Sequence, residues 1–216
     1  MMKFDLNGLE IVSCHYDEAC KLFMGVLCSG NKKIISHLNL YNFYVLSKEE
    51  FSKFKSDKII FFFEGIFLKL FMFFRTKKIL ADVNGTDLSE YVFDELRKSS
   101  KKIFLLGAEQ EIVERVKERL EDEKCLSIVG YHNGYYDFDE ELAIIEKINW
   151  SGAEVLISAM GFSKEMRFAI TNFDRLNVKM IWNVGGLFDF LSGRRKRAPK
   201  IMRTLGLEWL FRLTQE

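Results

Sequence analysis

Residues 102–131, KIFLLGAEQEIVERVKERLEDEKCLSIVGY, decide the fold. Behind Lys102 the run is apolar to Leu106 and breaks at Gly107, which reads as a strand buried on both faces. From Glu109 to Glu123 charges dominate, yet Ile112, Val113, Val116 and Leu120 recur on one side of a helix. Leu126–Tyr131 turns apolar again. Strand, amphipathic helix and strand within thirty residues make a parallel βαβ unit, because a parallel return needs a crossover.

The same alternation continues outward in both directions. Downstream it predicts a helix over Phe138–Asn149, with Leu142, Ile145 and Ile148 at helical spacing. A strand over Val155–Met160, a helix over Lys164–Phe173 and a strand over Lys179–Val184 follow. Upstream it predicts a strand or hairpin over Phe4–Ser13 turning at Asn7-Gly8, a helix over Asp17–Cys28 and a strand over Lys33–Leu40. Asn42–Phe51 reads as a helix, Lys58–Phe63 as a wholly apolar strand, Gly65–Phe74 as a helix, and Thr86-Asp87 as the cap of a helix ending near Ser99. The expected fold class is α/β: a Rossmann-like, mostly parallel sheet with helices on both faces and a C-terminal helical appendage. Residues 1–193 form the α/β domain and 194–216 a basic and apolar appendage of that domain. In such a sheet the ligand crevice lies at the carboxyl ends of the strands.

Bulk properties narrow the function classes. The 216 residues are 48% apolar and 29% charged, with a formal net charge of +1. That balance excludes a globally basic nucleic-acid binder, so any anion site is local. Cys14, Cys20, Cys28 and Cys125 form no C-x-x-C pair, and His15, His37 and His132 are scattered. No metal site and no cofactor is expected, and buried thiols in a reducing cytosol are the plain reading. The N-terminal MMKFDLNGLEIVS is polar and acidic too early for a signal peptide. Ile59–Phe74, IIFFFEGIFLKLFMFF, is 16 residues long with two internal charges, short of a bilayer span. A buried strand followed by a buried helix is favoured; a membrane-facing apolar surface is the alternative.

Chemistry is sought at strand ends. Gly107 follows one strand and lacks the three-glycine spacing of a dinucleotide fingerprint. Gly185 and Gly186 follow another and let a backbone approach a phosphate or sugar closely, or simply form a tight turn. Glu64 ends the apolar strand Lys58–Phe63; desolvation there would raise its pKa toward that of a general base, unless an Arg or a helix N-terminus holds it. Asp189 lies between two phenylalanines. Asp87 reads as an N-cap, and Glu208 as the partner of Arg212. Between Arg194 and Arg203 stand six cations (Arg194, Arg195, Lys196, Arg197, Lys200, Arg203) and no acid. Phosphate, diphosphate or acidic headgroups suit that density, with a solvated face as the bland counterpart. Pro199 then opens a helix in which Ile201, Leu205, Trp209, Arg212 and Leu213 fall three or four residues apart, as on a membrane-surface or core-packed helix.

Gly185–Asp189 (GGLFD), Gly193, Lys196–Pro199 (KRAP) and Leu205–Trp209 (LGLEW) together resemble the WecG/TagA/CpsF glycosyltransferases, glycosyltransferase family 26. Val83–Leu88 (VNGTDL), Phe104–Gly107 (FLLG) and Gly130…Gly134-Tyr135-Tyr136 extend the likeness upstream, in consistent order over about residues 33 to 213. The resemblance implies an inverting, metal-independent transfer from a UDP-sugar, of N-acetylmannosamine type or a related hexose. The implied acceptor is a sugar on a membrane prenyl diphosphate, in cell-surface polysaccharide synthesis at the cytoplasmic face of the plasma membrane. It implies a membrane surface as partner and is compatible with a homo-oligomer; no nucleic-acid partner is expected, because the basic run lacks interleaved aromatics and the whole chain is not basic. The family's base is an aspartate in an Asp-Gly pair, which reads here Glu64-Gly65; Asn39 falls at the earlier strand end and would position the acceptor. Gly107, Gly161, Glu165, Gly185, Gly186 and Asp189 would line the donor crevice. Arg194, Arg195, Lys196, Arg197 and Arg203 would face phosphates or headgroups. The family's Pro-Lys/Arg-Gln-Glu run reads Gly161–Met166, GFSKEM, so Glu165 stands where a Gln or a Glu does. Those departures motivate a second expectation: a catalytically weak homologue that binds nucleotide sugar or lipid diphosphate and recruits a partner enzyme.

Overall fold

The computed structural model describes residues 1–6, 8–46, 52–204 and 208–213. The deciding stretch forms β5 (Lys102–Gly107), α5 (Gln110–Asp122) and β6 (Ser127–His132). Along β5 successive side chains point to opposite faces, as strand geometry requires. Ile103 and Leu105 enter one core; Phe104 and Leu106 enter the other. Burial on both faces is the reason this strand is apolar throughout.

Around it lie β1 (Met2–Leu6), β2 (Leu9–Ser13), β3 (Lys33–Leu38), β4 (Ile59–Phe63), β7 (Val155–Ala159) and β8 (Met180–Asn183). They form one eight-stranded sheet in the order β1-β2-β4-β3-β8-β7-β5-β6. Only the β1–β2 hairpin is antiparallel. The α/β expectation therefore holds, with the hairpin as an edge addition; its turn residue Asn7 lies outside the described residues. The two halves of the chain meet where β3 pairs with β8, with Ile35 opposite Trp182.

One face is covered by α1 (Tyr16–Ser29), α4 (Gly85–Lys98) and α5, the other by α3 (Ile66–Thr76), α6 (Glu141–Trp150) and α7 (Phe162–Thr171). The first core centres on Trp182, fully buried, with Phe23 and Phe93 edge-on at 5.0 and 6.0 Å. Burial of rings of this size is the main favourable term for such a face, about 1.5–3 kcal/mol for a Phe. Further short helices among the described residues are α2 (Leu40–Val45), α8 (Leu187–Leu191), α9 (Lys200–Thr204) and α10 (Glu208–Leu213). The sequence reading of Asn42–Phe51 as a helix is thus shifted: α2 begins at Leu40, and residues 47–51 lie outside the described residues. Leu205 and the side chains of Trp209, Arg212 and Leu213 lie outside them as well.

Three sequence expectations are corrected here. Leu142 is exposed; Ile144 joins Ile145 and Ile148 as the buried side of α6, because a 3₁₀ turn over Phe138–Glu140 delays the helix start and rotates the apolar face. All four cysteines are free, but only Cys14 and Cys20 are buried; Cys28 and Cys125 are exposed. The Ile59–Phe74 stretch splits: β4 is buried, whereas α3 buries only Leu68 and Met72 and turns Phe67, Leu70, Phe71, Phe73 and Phe74 outward.

Gly107 has a packing explanation. Its φ is +148°, and a Cβ there would stand 2.3 Å from the Ala159 carbonyl oxygen of the paired strand. Gly107→Ala is expected to cost about 3 kcal/mol, from overpacking and an unfavourable backbone region together. Urea unfolding of the pure variant measures it; a cost within error of zero would refute that origin.

Candidate functional site

Parallel strands put β5, β7, β8, β3 and β4 with their carboxyl ends along one edge of the sheet. Two cavities open there. The smaller, about 360 Å³, lies beyond β5, β7 and β8; the larger, about 830 Å³, lies beyond β3 and β4.

The smaller cavity is walled by Ala108, Gly134, Gly161, Gly185, Gly186 and Asp189, with Arg194 and Arg195 at its rim. Gly161 (φ +84°) is the N-cap of α7, and Gly185 (φ +56°) begins the turn into α8. Glu165 does not line this space. It is buried beneath it, where its Oε1 accepts the N–H of Met160 at 2.8 Å and of Gly185 at 2.9 Å. Burial pushes its pKa up to about 8, against the opposing pull of those N–H groups and that of Gly161. One carboxyl thus ties the β7–α7 turn to the β8–α8 turn. Gly107 sits behind the wall, held against Ala159.

The larger cavity contains the predicted acid. Register pairs Leu38 with Phe63, which brings the next residues, Asn39 and Glu64, side by side at the sheet edge. Asn39 caps α2, its side chain accepting the Asn42 N–H at 2.8 Å. Glu64 retains about one fifth of its surface in solvent. Its Oε1 accepts from Asn84 Nδ2 at 3.1 Å, and its Oε2 lies 3.6 Å from His37 Nδ1. Burial lowers the His37 pKa to about 4, a shift only partly offset by the Val83 backbone, so the imidazole is neutral at pH 7. Gly85 leaves room for that ring: a Cβ would meet His37 Nε2 at 3.1 Å.

Asn84 is the residue that the VNGTDL motif contained without a role. Its Oδ1 accepts the N–H groups of Thr86 and Asp87, capping α4, which fixes the amide so that Nδ2 faces the cavity. There Nδ2 also reaches Glu208 Oε2 at 3.3 Å. Asp87 is therefore not the cap, as the sequence suggested; Asn84, three residues earlier, takes that place. Glu208 turns into the cavity wall, and the side chain of Arg212, its expected partner, lies outside the described residues. Tyr16 completes this corner, its hydroxyl accepting the Asn84 N–H at 3.3 Å.

The basic run is divided between the two cavities. Arg194 pairs with Glu109 at 3.0 Å and Arg195 lies 3.7 Å from Asp189, both beside the smaller cavity. Arg197 and Arg203 turn the other way, to Asp87 at 3.1 and 2.7 Å, and Arg197 lies 3.5 Å from Glu208. Lys196 is exposed. The cluster with no acid in its own stretch is thus matched by acids outside it, near (Asp189, Glu208) and distant (Glu109, Asp87). Among the described residues no group of three or more His, Cys, Asp or Glu is placed to hold a metal ion.

A parallel α/β sheet carrying a glycine-walled, arginine-rimmed cavity next to one with a held carboxylate can seat two substrates side by side, as a group-transfer enzyme must. Residues 4–216 match the model of the Glycosyl transferase WecG/TagA/CpsF family, nearly the whole chain. The chain belongs to that family, and the reaction class is glycosyl transfer.

Proposed function

We propose that the protein is an inverting, metal-independent glycosyltransferase that moves a hexose or N-acetylhexosamine from a UDP-sugar to a sugar carried on a prenyl diphosphate. Cell-surface polysaccharide synthesis at the inner face of the plasma membrane is the setting this implies. The observation that supports it most is the placement of Glu64. It stands two strand spacings from the Gly185 turn, about 10 Å, with β3 between, which leaves room for one sugar.

In this reading the UDP diphosphate occupies the smaller cavity. Backbone at Gly161, Gly185 and Gly186 admits it closely, and the N-terminus of α7 favours negative charge there. Arg194 exchanges its exposed partner Glu109 for phosphate oxygens at little cost, because such a surface pair is weak, and Arg195, 3.7 Å from the half-buried Asp189, adds a second cation at the rim. Glu64 takes the proton of the acceptor hydroxyl as that oxygen bonds to the anomeric carbon. The bond to UDP breaks on the opposite face, UDP leaves with the electron pair, and the configuration inverts. Asn84 holds Glu64 in place, while Asn39 faces the acceptor. Arg203, on the wall of the larger cavity, is the cation nearest to an acceptor diphosphate.

A panel of UDP-sugars assayed for UDP release with a short-chain prenyl-diphosphate-N-acetylglucosamine acceptor tests the proposal. One donor is expected to give acceptor-dependent release and a product of inverted anomeric configuration by NMR. Tight UDP binding with no release from any donor would favour the binding homologue instead.

A further inference from the structure

Helix α3 is turned inside out. Phe67, Leu70, Phe71 and Phe74 follow the i, i+3, i+4, i+7 spacing of one helix face, and that face is the exposed one. Phe74 has 70% of its surface exposed, and Ile79 just beyond has 84%. At the end of the stripe stand Arg75, Lys77 and Lys78, all exposed, with Lys77 Nζ 5.8 Å from the Phe74 ring centre. Next to the stripe α2 exposes Tyr41 and Tyr44, the latter at 84%. Tyr41 and Phe67 both line the cavity that holds Glu64, so the aromatic surface runs into its mouth.

We infer that α3, with Tyr41 and Tyr44 of α2, docks on a membrane surface containing anionic lipid, and that the Glu64 cavity opens against that surface. Phenylalanines in one plane insert among acyl chains, tyrosines settle at headgroup level, and lysines beside them meet lipid phosphates. The helix lies on the bilayer and does not cross it: eleven residues span about 16 Å, roughly half a hydrocarbon core. Charge favours an anionic lipid, because Arg75, Lys77 and Lys78 stand exposed at one end of the stripe and α3 itself carries no acid. The purpose of such docking, delivery of a lipid-linked acceptor to Glu64, rests on the function proposed above; the docking itself does not.

Co-sedimentation of the full chain with vesicles of phosphatidylglycerol and phosphatidylcholine, and of phosphatidylcholine alone, decides the matter. The protein is expected to bind the anionic vesicles. Phe71→Ser with Phe74→Ser is expected to lower that partition about a hundredfold, with Tm and UDP release from a short-chain, water-soluble acceptor unchanged, because both side chains are exposed and neither lines the cavity. Lys77→Glu with Lys78→Glu is expected to lower it at least tenfold on anionic vesicles and little on phosphatidylcholine. Wild-type protein that binds no vesicles, or a phenylalanine variant that binds them as wild type does, would overturn the inference. So would a dimer in sedimentation velocity that the phenylalanine variant dissociates, which would assign the face to a second copy. Absence of turnover with retained, Phe71- and Phe74-dependent vesicle binding would count against the glycosyltransferase reading alone.

Discussion

Glu64→Gln is expected to lower kcat by about 10²–10⁴-fold, the usual contribution of a positioned general base, while UDP affinity stays within about twofold. The amide keeps the shape and still accepts from Asn84 Nδ2, so the variant folds and its cavity survives. What it loses is proton affinity at the oxygen facing the acceptor. UDP does not touch this residue in the proposed arrangement, since the Gly185 turn lies beyond β3. Glu64→Asp is expected to retain part of the rate, because the carboxylate remains but draws back by one methylene from the acceptor. Steady-state kinetics with the short-chain acceptor, beside calorimetric UDP titration, separates these effects. Full turnover by Glu64→Gln would remove Glu64 from the role of base.

Glu165→Ala is expected to be strongly destabilising. Two buried N–H groups, of Met160 and Gly185, lose their acceptor, at about 1–3 kcal/mol each, and a space opens under the cavity floor. A loss of about 3–5 kcal/mol and UDP binding weaker by on the order of tenfold should follow, because the β8–α8 turn is no longer tied to α7. Glu165→Gln keeps an accepting oxygen and should fold nearly as well. The pH dependence distinguishes the two carboxyl forms. The Glu165 pKa rises from the ordinary 4.5 to about 8 on folding, so the folded state holds a proton that the unfolded chain releases. Its contribution is greatest below about pH 4.5 and is lost as pH rises through about 8. His37 works the opposite way: its pKa falls from 6.5 to about 4, so its contribution is complete above about pH 6.5 and is lost as pH falls toward 4. Between pH 6.5 and 8.5 Glu165 therefore acts without His37. Wild-type Tm should fall across that range, and the Glu165→Gln Tm should fall less. Parallel curves would show that Glu165 is already ionised in the folded protein.

Much of this molecule is written in local pattern. The largely apolar runs at β4, β5, β7 and β8 announce a sheet covered on both sides, and the Glu109–Glu123 periodicity announces the crossover. Glu64-Gly65 and Gly185-Gly186 could be marked as site candidates because a carboxylate or paired glycines at a strand end are unusual choices for a core. The KRAP and GGLFD pieces gave the family resemblance, and the match over residues 4–216 agrees.

What local pattern cannot carry is direction and partnership. Composition marked Ile59–Phe74 as apolar and favoured a buried strand and helix, but composition is the same whether the apolar side chains face the core or solvent; only the packing of Leu68 and Met72 left the rest of α3 outward. The cations from Arg194 to Arg203 looked unmatched because their acids lie outside the run, some of them far along the chain: Glu109 for Arg194 and Asp87 for Arg203, 85 and 116 residues away. Asn84 reaches Glu64, and Glu208 reaches Asn84, through the tertiary fold alone. Sequence by itself determined the parallel α/β sheet and the acid at its edge, since both follow from neighbours along the chain. Tertiary structure decided what holds that acid, which cavity Arg194, Arg195 and Arg203 line and which face of α3 is exposed, since those depend on residues distant in sequence meeting in space.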